Sequence, residues 1–101
     1  MKDCKAFVNH KPNGVYLKFP NGNGLSTIWG CGTYSDNHNY TTEDIVEGAN
    51  RVEIMIETPD DKLCRKIFRK LDTSPANGVI GWVTMEQWLW VVNQLSGRNK
   101  N

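Results

Sequence analysis

A chain of 101 residues, 39% of them hydrophobic and 10% aromatic, has the size and apolar content for one compact domain, and it needs neither metal nor disulfides to stay folded. Twelve Lys and Arg stand against eleven Asp and Glu, a net charge of +1, which excludes a histone-like binder and an acidic nucleic-acid mimic. No run approaches the ~18 apolar residues of a membrane span, and Met1-Lys2-Asp3-Cys4-Lys5 lacks the apolar core of a secretion signal. Cys4, Cys31 and Cys64 are odd in number and widely spaced, so the cytoplasm with reduced thiols is the expected setting.

Residues 1–14 show little periodicity, with Ala6-Phe7-Val8 a candidate for a short strand. Val15, Leu17 and Phe19 alternate with Tyr16 and Lys18, the period of a half-buried strand. Pro20-Asn21-Gly22-Asn23-Gly24 supplies a turn, and Leu25 to Trp29 resumes an extended pattern, so the two segments read as a hairpin. Gly30 to Thr42 reads as a polar loop, and Thr42 caps a short helical turn through Glu47. In the next segment, Val52, Ile54 and Ile56 face one way and Glu53, Met55 and Glu57 the other, a third strand.

Thr58-Pro59-Asp60-Asp61 predicts a helix start with Thr58 as N-cap, and a helix from Pro59 to about Leu71. Leu63, Cys64, Ile67, Phe68 and Leu71 fall on one arc of it, and the five bases Lys62, Arg65, Lys66, Arg69 and Lys70 on the other. Eight of the eleven acids lie between Asp36 and Asp61, so opposed charge patches are expected. Val79 to Val83 is apolar enough for a buried strand, and Thr84-Met85-Glu86-Gln87 matches a capping box, opening a helix that stops at Gly97. About 100° per residue puts Met85, Trp88, Leu89, Val92 and Leu95 on the core face of this last helix and leaves Trp90 exposed in a polar surround. The sum is a single α+β domain: an antiparallel sheet of about four strands with two helices packed on one face, and a frayed end at residues 98–101.

The stretches Phe19-Pro20-Asn21-Gly22, Leu25-Ser26 and Gly30-Cys31-Gly32-Thr33-Tyr34-Ser35-Asp36-Asn37 resemble a pattern of small uncharacterised bacteriophage accessory proteins. Those have a Phe-x-Asn-Gly turn, a strand with Ser, a Gly-x-Gly-x-Tyr-x-x-Asn loop, a Glu-Ile strand and a closing strand and helix. Arg51-Val52-Glu53-Ile54 and Val79 to Thr84 stand in the last two places, so the resemblance spans about residues 15–95. It implies a phage accessory protein of the kind that counters host defences, and it brings no catalytic residues.

Among the residues, the loop from Gly30 to Asn39 is the leading site. Its glycines allow close backbone approach, and Tyr34, Ser35, Asp36, Asn37, His38 and Asn39 offer stacking and hydrogen bonding. The plainer reading is a loop satisfied by its own Asx and Ser side chains. Cys4, His10, Cys31, His38 and Cys64 contain no metal-binding pair at close spacing, so no metal or other cofactor is expected. The helix bases suit phosphates, although a solvated face is the commoner role of such residues.

Non-catalytic binding is the expected function: a phage inhibitor that occupies a host protein or sequesters a small nucleotide signal, with no membrane involved. A small hydrolase or nuclease working from Asp36 and His38 is the alternative, and a nucleic-acid binder using the basic helix a third. Trp90 is expected to be covered by a partner or by a second copy of the chain, giving a homo-oligomer through the last helix.

Overall fold

The computed structural model describes residues 7–9, 13–30, 33–36, 49–71 and 79–97. In chain order it has β1 (Phe7–Asn9), β2 (Asn13–Lys18), β3 (Gly24–Trp29), β4 (Arg51–Glu57), α1 (Asp61–Lys70), β5 (Val79–Thr84) and α2 (Met85–Ser96). The strands form one antiparallel sheet in sequence order, β1 to β5. The α+β class with two helices is as expected, and short β1 adds an edge strand to the four longer ones.

Register follows from alternation. Leu17 pairs with Leu25 and Leu25 with Ile56, while Val15 pairs with Thr27 and Thr27 with Ile54. One face of the sheet therefore gathers the branched side chains, and Leu17, Leu25, Ile54, Ile80 and Val83 are buried there with Ile67 of α1 and Val91 and Leu95 of α2. Thr27, the polar member of that face, accepts a hydrogen bond from Trp88 Nε1 at 2.9 Å. The opposite face carries Tyr16, whose hydroxyl donates to Glu57, together with Ser26, Glu53 and exposed Met55.

Phe19 N–H donates to the Asn23 carbonyl at 2.8 Å and closes the β2–β3 hairpin. Its two asparagines reach further: Asn21 Nδ2 and Asn23 Nδ2 both donate to the Leu95 carbonyl, at 2.8 and 2.9 Å. They satisfy a carbonyl in the last turn of α2 that has no partner within the helix, so the hairpin tip clamps the C-terminus of α2.

Both helix starts are capped, one of them two residues later than expected. Asp60, not Thr58, is the N-cap of α1: its carboxylate accepts from Leu63 N–H at 3.1 Å, and Thr58 Oγ1 accepts instead from Asp60 N–H at 3.2 Å. Asp is at least as good an N-cap as Thr, and this choice keeps Asp61 in the first turn, where the helix dipole favours an acid. For α2 the capping box is complete: Gln87 N–H donates to Thr84 Oγ1 at 3.3 Å and Thr84 N–H to Gln87 Oε1 at 2.9 Å, and Gly97 ends the helix at φ 79°.

The face of α2 differs from expectation. Met85 and Leu89 are 65% and 49% exposed, whereas Val91 and Leu95 are fully buried and Gln94 nearly so. The buried arc is turned by about one residue step, roughly 100°, from the arc expected. The cause is α1, which packs beside α2: Trp90 is half-buried against the core with Lys70 Nζ 5.7 Å from its ring centre. Contrary to expectation, Trp90 does not stand out in a polar surround, because its ring is packed against the core of its own chain.

Candidate binding surfaces

The loop after β3 is built on short polar side chains. Gly30 has φ 110°, a conformation open to glycine, and its carbonyl accepts from Thr33 N–H at 3.1 Å and Thr33 Oγ1 at 2.8 Å. Ser35 Oγ accepts from Gly30 N–H at 3.2 Å and lies 2.7 Å from Thr33 Oγ1. Thr33 and Ser35 are buried, so Ser35 is an internal peg of the loop. Asp36 ties the loop to β4, accepting from Asn50 N–H at 3.0 Å, Arg51 N–H at 2.9 Å and Arg51 Nε at 2.7 Å. The Arg51 guanidinium, with these backbone donors, holds the Asp36 carboxyl below the usual carboxylate range. Of the expected site residues here, Tyr34 is the large apolar ring that is exposed, whereas Asn37, His38 and Asn39 lie outside the described residues.

Tyr34 meets a residue that the sequence reading passed over. The β4–β5 register shifts between Val52, which pairs with Val83, and Ile54, which pairs with Ile80, so Gly81 and Trp82 together oppose Glu53. This is a β-bulge, and at it Trp82 has φ 58°, which is rare for a bulky residue and costs about 1–3 kcal/mol. The bulge frees Trp82 N–H to donate to the Tyr34 carbonyl at 2.8 Å, while Tyr34 N–H donates to Glu53 Oε1 at 2.9 Å. A Cβ on Gly81 would come 2.5 Å from Tyr34 Cβ, so the glycine makes room for the loop. Trp82 is 45% exposed and Tyr34 51%, and the Arg51 guanidinium lies 5.4 Å from the Trp82 ring centre. Gly81 inside an apolar strand was the available signal, since an isolated strand glycine marks a bulge or a close backbone approach.

The five bases of α1 are all exposed as expected, along the side opposite Ile67. Apart from these surfaces, a cleft of about 280 Å³ opens on the helix-bearing face of the sheet, lined among others by Val15, Trp29, Val52, Val83, Met85 and Trp88. It is almost wholly apolar, and at its wall Trp29 Nε1 is buried with no hydrogen-bond partner among the described residues.

Among the described residues no group of three His, Cys, Asp or Glu is placed to hold a metal ion. Burial pushes the Cys64 thiol up, which makes it a poorer nucleophile at neutral pH. No described helix is long and apolar enough to cross a membrane. No family model, curated protein or solved structure matches the chain.

Proposed function

We propose that this protein works by binding a protein partner, without chemistry, through the surface formed by Tyr34, Trp82 and Arg51. The supporting observation is Trp82: a large ring held nearly half exposed, on a strained backbone, beside a second exposed aromatic and under an arginine. Trp, Tyr and Arg are the residue types that dominate the energetic centres of interfaces. Strain of this kind persists where surrounding structure enforces it, and here the Asp36–Arg51 pair and the Tyr34–Trp82 backbone bond do so. Ser35 and Asp36 then have a positioning part, fixing the loop that presents Tyr34. In the setting implied by the phage resemblance, the partner is a host protein and occupying it counters a defence in the host cytoplasm.

A second reading is favoured by the cleft. Its indoles and aliphatic walls suit one flat ring, and its volume is near the low end of the roughly 300–1,000 Å³ of small-ligand sites. Sequestration of a small nucleotide by its base fits that space.

Both are tested by passing bacterial lysate over the immobilised protein and identifying the proteins and small molecules retained. Trp82→Gly removes the ring and relieves the positive φ, so its fold is expected to persist, and it should lose a protein that the wild type retains in stoichiometric amount. Equal capture by Trp82→Gly and Tyr34→Ala refutes the surface. An intact nucleotide recovered from the wild type favours the cleft, and a nucleotide converted on incubation favours the hydrolase or nuclease alternative.

A further inference from the structure

Like charges three and four residues apart repel along a helix and destabilise it. In α1, Lys62, Lys66 and Lys70 form one row at i, i+4 spacing, and Arg65 and Arg69 a second beside it. All five are exposed, and none makes a salt bridge with an acid among the described residues. Asp61, the one acid within the helix, stands in the first turn, at the end of the cationic face. The helix therefore keeps an unfavourable arrangement of five positive charges on a chain whose net charge is only +1.

We propose that this face of α1 docks on the phosphate backbone of a nucleic-acid duplex, independently of base sequence. With a rise of about 1.5 Å per residue, the row from Lys62 to Lys70 is roughly 12 Å long. Duplex DNA carries one negative charge per about 1.7 Å of axis with both strands counted, so that length holds roughly seven phosphates, and five cations can engage them where the helix spans both strands. The site is chemically a counter-charge to phosphate and little else. Apart from its Lys and Arg, whose specific base contact is with guanine alone, α1 contains no Asn, Gln, Ser or Thr to read base edges. Beside this face, among the described residues, Trp90 is half-buried beneath Lys70 and offers little open ring for stacking unpaired bases. An anionic membrane surface fits less well. The exposed Met85 and Leu89 stand about 100–140° round α2 from Trp90, so they do not join the cationic face as apolar anchors. This surface is independent of Tyr34 and Trp82, which lie on the side of the sheet away from α1.

The test is fluorescence anisotropy with the intact protein and two labelled duplexes of about 20 base pairs and unrelated sequence. Both are expected to bind alike, with a dissociation constant of roughly 10⁻⁴–10⁻⁶ M near physiological salt. The slope of log K against log salt should approach about −4.5 if all five cations engage, a loss of roughly 500-fold between 50 and 200 mM salt. Lys66→Gln with Arg69→Gln should flatten the slope by about 2 while circular dichroism is kept and the melting midpoint does not fall. Lys62→Gln with Lys70→Gln serves as an independent pair with the same expectation. Lys18→Gln removes a charge from exposed Lys18 on β2 and should leave the slope unchanged. The proposal is overturned if neither duplex binds at 50 mM salt, if the α1 variants keep the wild-type slope, or if vesicles containing anionic lipid bind more tightly than the duplexes.

Discussion

The two helices lie side by side on the same sheet, yet only one of them declares its buried face in its sequence. In α1 five bases occupy one arc and Leu63, Cys64, Ile67 and Phe68 the other, so there is one way to lay it down, and Ile67 at its centre is fully buried. In α2 apolar residues surround the axis: Met85, Trp88, Leu89, Trp90, Val91, Val92 and Leu95 cannot all face inward. Periodicity alone then leaves the rotation of the helix open, and contacts made elsewhere choose it. Here they are the flank of α1 against Trp90 and the grip of Asn21 and Asn23 on the Leu95 carbonyl.

The sharpest way to break that comparison is to cut the centre of each face. Ile67→Ala and Leu95→Ala each remove a fully buried branched side chain and should cost about 2–5 kcal/mol in a denaturant titration. Equal large losses would confirm that both helices contribute to one core, whereas a negligible loss at Leu95, which either rotation of α2 buries, would show that the end of α2 does not pack on the sheet. Trp90→Ala comes next. A fully buried Trp costs about 3–5 kcal/mol, and a half-buried one should cost less. Sedimentation should show no change of mass between wild type and variant. A wild-type oligomer that becomes a folded monomer would restore the interface reading for Trp90.

The four longer strands, the hairpin, both helices and the capping box were legible because each is specified locally: alternation in Val52, Ile54 and Ile56, the Asn-Gly turn, and Thr84 with Gln87 three residues on. The candidate surface was legible only at Tyr34. Trp82 became visible through a register shift between β4 and β5, a relation between segments about thirty residues apart at which the isolated Gly81 hints but which no local pattern specifies. Ser35 and Asp36 looked equally free to bind a ligand, because a polar side chain reads the same in sequence whether it faces outward or holds its own loop together.

The helix starts separate more finely. Thr84→Ala should cost about 0.5–2 kcal/mol and Asp60→Ala a similar amount, since each removes a side-chain acceptor from an otherwise unpaired helix N–H. Thr58→Ala should cost less than Asp60→Ala. If thermal melting ranks those two the other way, the start of α1 lies two residues earlier, at the position that its Thr-Pro pattern suggests.

The smallest expected effect is also the one that decides most directly how α2 is turned. Met85 and Leu89 sit one helical turn apart, where spacing alone assigns them to the core, yet both are exposed. Their replacement by Gln keeps a good helix former in each place and removes little covered surface, so stability should change by no more than about 0.5 kcal/mol at each position. A core position treated in the same way would lose its packing and leave an amide unpaired in an apolar surround, which costs several times more. A double variant, Met85→Gln with Leu89→Gln, measured against Val91→Gln in the same titration, therefore reads the rotation of the helix: little loss in the first and a large loss in the second places α1 against Trp90, and the reverse order would turn the helix back by about 100° and expose that ring.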